Sequence, residues 1–330
     1  MSVVLPAPQL ATSRAGGLRG WAMRRLLRLA VEEAAAALHT FRYATPALRE
    51  RIEQLAETYF EGYLAAIEED GASLRARLER APSELRSFAY EGAGTGLAAL
   101  DAITPWRADR LGRFLRGPGA DHAYIVHIGA GWAIARLPHL GGRIVARLDP
   151  VLRWLGYDGW GFHEGLFASR RTVEGRAVPE RLAGYARRAF DQGVGRSLWF
   201  VEATEPERIA RRIATFEPAR REDLWSGVGL ACAYAGRREE AALRELARLA
   251  GEHAPYLAQG AAFAAESRRR SGEEAPQTEL ACRVFCRATP AEAAAEVATA
   301  GRDLPPDGAL PAFEVWRLRV RERFSQAAEA

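Results

Sequence analysis

A short cassette recurs along the chain: an aromatic or apolar residue, usually a polar residue, and then Gly or Ala. The first copies read Tyr59-Phe60-Glu61-Gly62 and Ala89-Tyr90-Glu91-Gly92. The last residues of the seven copies are Gly62, Gly92, Gly129, Gly165, Ala203, Gly227 and Gly260. They are separated by 30, 37, 36, 38, 24 and 33 residues, which is the period of a helix-turn-helix repeat and not of a strand meander. The spacing therefore favours a repeated helical architecture.

The residues around the cassettes favour helix. From Arg24 onward Ala, Leu, Arg and Glu dominate, and apolar residues recur at spacings of three and four. The segment from Trp225 to Gly272 resembles a degenerate tetratricopeptide hairpin, in which a small residue lets two helices approach. We therefore predict an all-α fold, an array of helix pairs curved around a concave or central cavity. Residues 1–23 are predicted to be a mobile leader, and residues 24–330 a single all-α helical-repeat domain.

The basic residues of this chain are all arginines. Among 330 residues, 46 are basic, none of them is Lys, and Asn is absent as well. The missing Lys excludes pyridoxal-phosphate enzymes, P-loop nucleotidases and enzymes with a Ser-Lys dyad. The basic residues are interspersed with 42 acidic ones, which is typical of solvated helix faces, so we expect no nucleic-acid partner.

The sequence also bears on location. No apolar run reaches the length of about 18 residues that a membrane span needs, so no transmembrane segment is expected. Three cysteines, Cys232, Cys282 and Cys286, are too few for a disulfide framework and are typical of buried thiols in a reducing cytosol. We therefore expect a cytoplasmic protein.

Acidic residues stand at the third position of several cassettes. Glu61, Glu91 and Glu164 directly precede the Gly, and Glu202 precedes Ala203. If the repeats superpose, these carboxylates line one channel, where burial and mutual repulsion raise their pKa values and equip them for proton transfer. The alternative is that each Glu bonds the backbone or an Arg of the neighbouring repeat.

The richest local cluster is His163-Glu164, which follows Asp158 and Trp160. A metalloprotease helix needs a second His four residues after the first, and Phe167 occupies that position. The other histidines are loosely spaced. Neither a metal nor a cofactor is predicted.

Four segments carry a resemblance to a known family. They are Tyr90-Glu91-Gly92, Asp158 to Gly165, Gly195 to Phe200 and Ser226 to Ala231. Together they resemble the UnbL-like family, and the Asp-Gly-x-Gly-Phe-His stretch is the most specific part. This bacterial group of unknown function is encoded beside polyketide synthases in enediyne clusters and also elsewhere. The similarity spans most of the chain, and the family has no settled catalytic residues to transfer.

The resemblance implies an accessory role in making a specialised metabolite from a long polyunsaturated chain. Our first hypothesis is an enzyme that binds an apolar polyene-like or isoprenoid-like intermediate and promotes its cyclisation or isomerisation by proton transfer, beside a polyketide synthase or another biosynthetic enzyme. Glu91 and Glu164 are its candidate acids, and His163 and Asp158 tune or orient them. The residues predicted to wall the pocket are Tyr90, Trp160, Phe162, Trp199 and Trp225.

The second hypothesis is a non-catalytic helical-repeat scaffold or carrier for a partner synthase. In that case the Gly positions serve helix packing and the Glu residues form structural bonds. A closed, apolar cavity that bears a carboxylate favours the enzyme, and an open groove with solvated Glu side chains favours the scaffold.

Overall fold

A computed structural model describes residues 46–69, 71–104, 109–236 and 239–329. The predicted leader, residues 1–23, lies outside the described residues, as do residues 24–45 at the start of the predicted domain. Every regular element within the described ranges is a helix, so the predicted all-α class is confirmed. None of the described helices is long and apolar enough to cross a membrane.

Seven helices of the described chain, here called the core helices, pack against one another in chain order. They are α1 Pro46–Glu68, α3 Ser83–Ile103, α5 Ala123–Arg136, α7 Trp154–Phe167, α8 Tyr185–Val201, α10 Pro218–Ala235 and α12 Ala254–Ser271. The other α-helices are α2 Gly71–Leu78, α4 Arg110–Leu115, α6 Gly141–Val145, α9 Pro206–Ala214, α11 Glu240–Ala250, α13 Pro276–Ala281, α14 Pro290–Ala300 and α15 Ala312–Glu329, and short 3-10 and π-helical segments occur as well.

Proline marks the start of several helices, because its fixed φ suits the first turn and its missing N–H is not needed there. Pro206, Pro218, Pro276 and Pro290 each stand at the first position of their helix. At α14 a capping box adds to this signal, since the Thr289 side chain accepts from the backbone N–H of the third residue. These starts divide the chain into short helices.

Neighbouring core helices run parallel. Between α10 and α12, Ser226 contacts Gln259, and further along Tyr234 contacts Ser267. The contacts therefore advance together along both helices. The segments between core helices, which include α2, α4, α6, α9 and α11, return the chain to its starting level each time.

A Gly-x-Gly segment recurs in five core helices of the described chain and brings neighbouring backbones into contact. The pairs are Gly92 and Gly94, Gly129 and Gly131, Gly159 and Gly161, Gly193 and Gly195, and Gly227 and Gly229. The first Gly faces the preceding core helix and the second faces the following one, while Gly62 and Gly260 complete the series at its ends. A Cβ at any of these positions would lie within 2.5 Å of a main-chain oxygen of the neighbouring helix. Only glycine permits this approach.

The contacts are reciprocal. Gly193 of α8 meets the carbonyl oxygen of Asp158 on α7, and Gly161 of α7 meets that of Phe190 on α8. In each case the oxygen belongs to the residue three positions before the partner's own Gly. The same rule holds for the other neighbouring pairs of core helices.

This register corrects two of the predicted cassette positions. Gly165 and Ala203 were expected to be equivalent to the other Gly positions, and this was wrong. A Cβ on Gly165 would first meet the side chain of Ser197, whereas the Cα of Val194 would be 3.7 Å away. Ala203 lies beyond the end of α8. The equivalent residues are Gly159 and Gly193, so the intervals become 30, 37, 30, 34, 34 and 33 residues.

The array also brings distant segments together. Near the start of α3, the Ser87 hydroxyl donates to the Glu273 carboxylate, which follows α12, over 2.6 Å. The neighbouring Phe88 ring meets the Tyr234 ring of α10 edge-on, with centroids 6.0 Å apart. Early and late core helices therefore contribute side chains to the same interior.

Candidate functional site

A cavity lies among side chains of six core helices, from α1 to α10. It contains about 680 Å³ of atom-free space, part of which is continuous with solvent. We call it the aromatic cavity, and its lining residues are Ile52, Leu55, Ala56, Tyr59, Phe60, Phe88, Glu91, Trp132, Phe162, Leu166, Arg196, Phe200, Ala231, Tyr234 and Ala235. Its walls are apolar except for a carboxyl, a guanidinium and a few ring-borne polar atoms.

The Gly-x-Gly segments determine several of the side chains that reach this cavity. A residue three positions after a Gly lies on the same helix face, one turn further along. Because the glycines are in equivalent register, these following positions are equivalent as well. Three of them line the cavity: Trp132, Phe162 and Arg196, which follow Gly129, Gly159 and Gly193.

Glu91 is the acidic residue of this lining. Its side chain is buried, with 2% of the residue exposed. Burial raises the pKa of Glu91 to about 7, the charge of Arg196 opposes this rise, and the charge of Asp158 adds to it. Oε1 of Glu91 makes no hydrogen bond and lies 3.9 Å from the Arg196 guanidinium.

Arg196 is bonded to a second buried carboxylate, that of Asp158. Its Nη1 donates to Oδ1 of Asp158 over 2.6 Å, and Gln192 donates to Oδ2 over 2.7 Å. The guanidinium also covers the Phe162 ring at 4.4 Å from the centroid. One cation therefore serves two buried carboxyls, Glu91 and Asp158, and is bonded to only one of them.

A ladder of polar side chains extends from Asp158 through the interior. Each member directly precedes the first Gly of its helix, and hydrogen bonds of 2.7 to 3.3 Å connect neighbouring members. The members are Asp158, Gln192, Ser226 and Gln259, and Arg321 of α15 donates to the last of them over 2.7 Å. The ladder satisfies polar groups that burial would otherwise leave without partners.

The ladder borders a second cavity, which we call the core cavity. It contains about 460 Å³ of atom-free space, and Gln192, Ser226 and Gln259 lie in its lining beside aromatic residues of α5, α12 and α15. Tyr234 lines both cavities. No group of three or more potential metal ligands occurs within the described ranges.

A family model described as "Protein of unknown function (DUF1702)" matches residues 18–324. The chain belongs to the DUF1702 family. No curated protein and no solved structure matches it.

Two of the residues predicted for the site lie in the aromatic cavity of this DUF1702 member. Glu91 and Phe162 are part of the lining. Asp158 stands directly behind it, because it binds Arg196. These three residues come from α3 and α7, so the fold brings the two helices' predicted residues to one place.

The His163-Glu164 pair lies apart from the lining of the aromatic cavity. Glu164 pairs with Arg171, and its pKa is lowered because His163 and Arg171 together outweigh the effect of burial. His163 Nδ1 lies 3.7 Å from the Glu164 carboxylate, which is beyond hydrogen-bonding distance. Burial lowers the pKa of His163, and its ring packs edge-on against Trp132 at 5.4 Å. The pair therefore reaches the cavity only through Trp132, which His163 contacts.

The other predicted wall residues do not reach either cavity. Tyr90 stacks on His122 at 3.6 Å and donates to Glu79. Trp160 packs against Phe190. Trp199 and Trp225 are fully enclosed in the hydrophobic core. Their large side chains fill space between helices.

The four glutamates of the cassettes do not line one channel. They lie in three different environments. Glu61 is exposed, whereas Glu202 is buried and bonded by Arg208 and Arg212. Glu164 is paired with an arginine as well. Glu164 and Glu202 therefore bond arginines, as the structural alternative predicts, but these arginines lie in the segment after the same core helix and not in a neighbouring repeat. Glu91 is the one of the four that lines the aromatic cavity.

Sequence reasoning missed Arg196 and Trp132. Neither residue is a candidate in the sequence analysis, because the four-residue cassette does not contain the Gly-x-Gly register. Counting three residues onward from Gly129 and Gly193 would have selected them. The members of the polar ladder can also be found from the register, since each of them directly precedes the first Gly of its helix.

Proposed function

We propose that the aromatic cavity binds an apolar, polyene-like or isoprenoid-like small molecule and that Glu91 exchanges a proton with it. The net reaction is a cyclisation or an isomerisation. The observation that carries this proposal is a buried carboxyl with a pKa of about 7 in an otherwise apolar, aromatic lining.

The lining of the cavity supports an apolar ligand. Pockets for small molecules commonly combine apolar walls with a few polar groups. The aromatic cavity has this composition, since its lining is apolar apart from Glu91, Arg196 and the polar atoms of its tyrosine and tryptophan rings. The rings of Tyr59, Trp132 and Phe162 lie close together, with centroids 4.5 and 5.7 Å apart, and offer faces for a conjugated chain.

The proton chemistry follows from the environment of Glu91. A group that titrates near neutral pH is present in both protonation states, which suits a general acid and base. In the proposed isomerisation, Glu91 donates its proton to one carbon of a double bond. The resulting carbocation then returns a proton from an adjacent carbon to the Glu91 carboxylate, so that no proton is consumed. Aromatic faces stabilise the positive charge in between.

The neighbouring residues have supporting roles in this scheme. Asp158 and Gln192 fix Arg196, which lies 3.9 Å from Glu91 and stabilises its ionised form after proton donation. His163 supports Trp132 through the ring contact. We do not assign Glu164 as the acid, because its pairing with Arg171 keeps it ionised.

The biosynthetic setting is part of the same proposal. The UnbL-like resemblance suggests an accessory step in specialised-metabolite biosynthesis, in the cytoplasm and beside a polyketide synthase. The predicted array of helix pairs curved around a cavity belongs to this proposal as well, because such an arrangement would suit the enclosure of a long apolar intermediate. Enediyne biosynthesis is one pathway of this kind.

The test replaces Glu91 by Gln in the producing bacterium and identifies the accumulating compounds by mass spectrometry. Removal of the general acid should lower product formation by about 100-fold or more, with accumulation of an apolar intermediate. Glu164→Gln is the matched control and should retain most of the product. Normal product formation by a folded Glu91→Gln protein would overturn the proposal.

A further inference from the structure

We propose that the aromatic cavity selects a neutral ligand that carries a carbonyl oxygen on an apolar body, and that Arg196 and Trp132 bind this oxygen. The inference rests on the proposed function, since it names the ligand class of the same cavity. It adds a recognition element that the proton-transfer scheme does not require.

The first observation is a pair of buried donors without acceptors. Nε of Arg196 and Nε1 of Trp132 make no hydrogen bond, and both residues line the aromatic cavity. Arg196 is 5% exposed and Trp132 is 8% exposed. Buried N–H groups are nearly always bonded in folded proteins, because leaving one unpaired costs free energy. An acceptor on the ligand would satisfy them.

The second observation is that these donors are held in place before any ligand arrives. Asp158 bonds Nη1 of Arg196, and the Phe162 ring lies beneath its guanidinium. Trp132 is surrounded by Tyr59, Phe162 and Phe167, with ring centroids 4.5 to 5.7 Å away. A ligand oxygen would therefore bind without the cost of ordering these side chains.

The net charge of the site determines whether the ligand oxygen belongs to a carboxylate or to a neutral carbonyl group. Asp158 already neutralises Arg196, and a protonated Glu91 adds no charge, so the three groups sum to zero. A ligand carboxylate would bring an uncompensated negative charge into an apolar interior, which is strongly unfavourable. A ketone, aldehyde or ester oxygen accepts hydrogen bonds without this cost. Protonated Glu91, whose Oε1 is unbonded, offers a further donor to it.

A cationic ligand is the main competing class, because an ionised Glu91 leaves the site with one excess negative charge. One observation favours the neutral carbonyl. The unbonded nitrogens of Arg196 and Trp132 are donors, and a cation offers them no acceptor.

The experiment uses the full chain with a neutral polarity-sensitive dye bound in the cavity. Four displacing probes of similar length are compared at neutral pH: 2-undecanone, undecane, decanoate and decylamine. We expect the ketone to displace the dye at a concentration about tenfold lower than the alkane, as one or two new hydrogen bonds would give. Decanoate and decylamine should be weaker than the ketone.

Trp132→Phe removes the donor and keeps an aromatic ring, and it should reduce the ketone preference to about threefold or less. Trp154→Phe is the matched control, since Nε1 of Trp154 is also buried without a hydrogen bond but Trp154 lines neither cavity. It should leave the preference unchanged. If Trp132→Phe does not fold, Arg196→Lys tests the other donor while keeping the charge beside Asp158.

The outcomes separate this inference from the proposed function. Equal displacement by ketone and alkane would overturn the carbonyl preference and leave the apolar cavity intact. Strongest displacement by decanoate or decylamine would overturn the choice of a neutral ligand. An equal loss of preference in the Trp132 and Trp154 variants would remove Trp132 from the site. Failure of the dye and all four probes to bind would overturn the proposed function itself, and this inference with it.

Discussion

Two buried clusters in this molecule combine arginines with carboxyl groups. The pKa of the buried glutamate is raised in one cluster and lowered in the other. At the aromatic cavity, one guanidinium, that of Arg196, serves Glu91 and Asp158. Where α15 packs on the core helices, Arg188, Arg317 and Arg321 surround two carboxylates. The second cluster, which we call the α15 network, contains Asp223 and Glu314.

The difference lies in the ratio of cations to carboxyls. Glu314 is as buried as Glu91, at 1% against 2% exposed. The pKa of Glu314 is nevertheless lowered, because its arginine neighbours outweigh burial, whereas that of Glu91 is raised to about 7. In the α15 network three guanidinium groups face two carboxylates, which gives the cluster a structural role. At the aromatic cavity one guanidinium faces two carboxyls, so Glu91 can change its protonation state near neutral pH.

The largest expected effect comes from removing a cation from the α15 network. Arg317→Met leaves Asp223 and Glu314 buried with fewer partners, so the free energy of unfolding should fall by about 3 to 5 kcal/mol. Urea unfolding measures this loss. Arg323→Met is the control, because Arg323 is 58% exposed and lies 3.5 Å from Glu296, and its loss should stay below about 1 kcal/mol. A small effect of Arg317→Met would remove the distinction between the two clusters.

The pH dependence of stability should differ in sign between Glu91 and Glu314. The pKa of Glu91 rises from 4.5 to about 7 on folding, so the native state binds more protons in this range. Its contribution is fully present below pH 4.5 and is lost as pH rises toward 7, at up to about 1.4 kcal/mol per pH unit. The charged groups that face Glu91 and modulate this window are Arg196 and Asp158.

Glu91→Gln removes this titration. Its free energy of unfolding, relative to the natural protein, should increase by up to about 3 kcal/mol between pH 4.5 and 7.5 and stay constant above. Glu314→Gln should behave oppositely, because the lowered pKa of Glu314 adds stability at higher pH that is lost on acidification. Parallel pH curves for the two variants would contradict the comparison.

A smaller effect tests how much the backbone contact between α7 and α8, beside the cavity cluster, contributes to stability. A Cβ at Gly193 would lie against the carbonyl oxygen of Asp158, so Gly193→Ala should force α7 and α8 apart and cost about 1 to 3 kcal/mol. Gly142→Ala is the control, since its Cβ would meet no atom within 4 Å. It should stabilise the protein by about 0.5 to 1 kcal/mol. Thermal unfolding of both variants measures the contrast, and equal midpoints would contradict it.

The fold class could be predicted because it depends on local pattern. The recurring Gly positions, the helix-favouring residues and the apolar spacings of three and four require no knowledge of tertiary contacts. The register failed at Gly165 and Ala203, because an aromatic residue before a small one also occurs by chance in a chain rich in both. The reciprocal contact rule, which separates Gly159 from Gly165, exists only between two folded helices.

The candidate site was predictable only in part. Glu91 was found because it directly precedes a correctly registered Gly. Arg196 could be selected only by its position three residues after Gly193, since its contacts with Asp158 and Glu91 on two other helices exist only in the folded chain. Trp160, Trp199 and Trp225 show the opposite error: a large aromatic residue is equally suited to a ligand wall and to a packed core, and only the surrounding helices decide between them.

The Gly-x-Gly segment also limits how this chain can change in length. Its two glycines serve two different neighbours, and one inserted residue between them would rotate the second by about 100° around the helix axis. Every helix beyond that point would then lose its register with those before it. We therefore expect insertions and deletions to be tolerated in the segments between core helices and not between the two glycines. The chain already shows this, since the intervals between first glycines vary from 30 to 37 residues while the two glycines remain two positions apart.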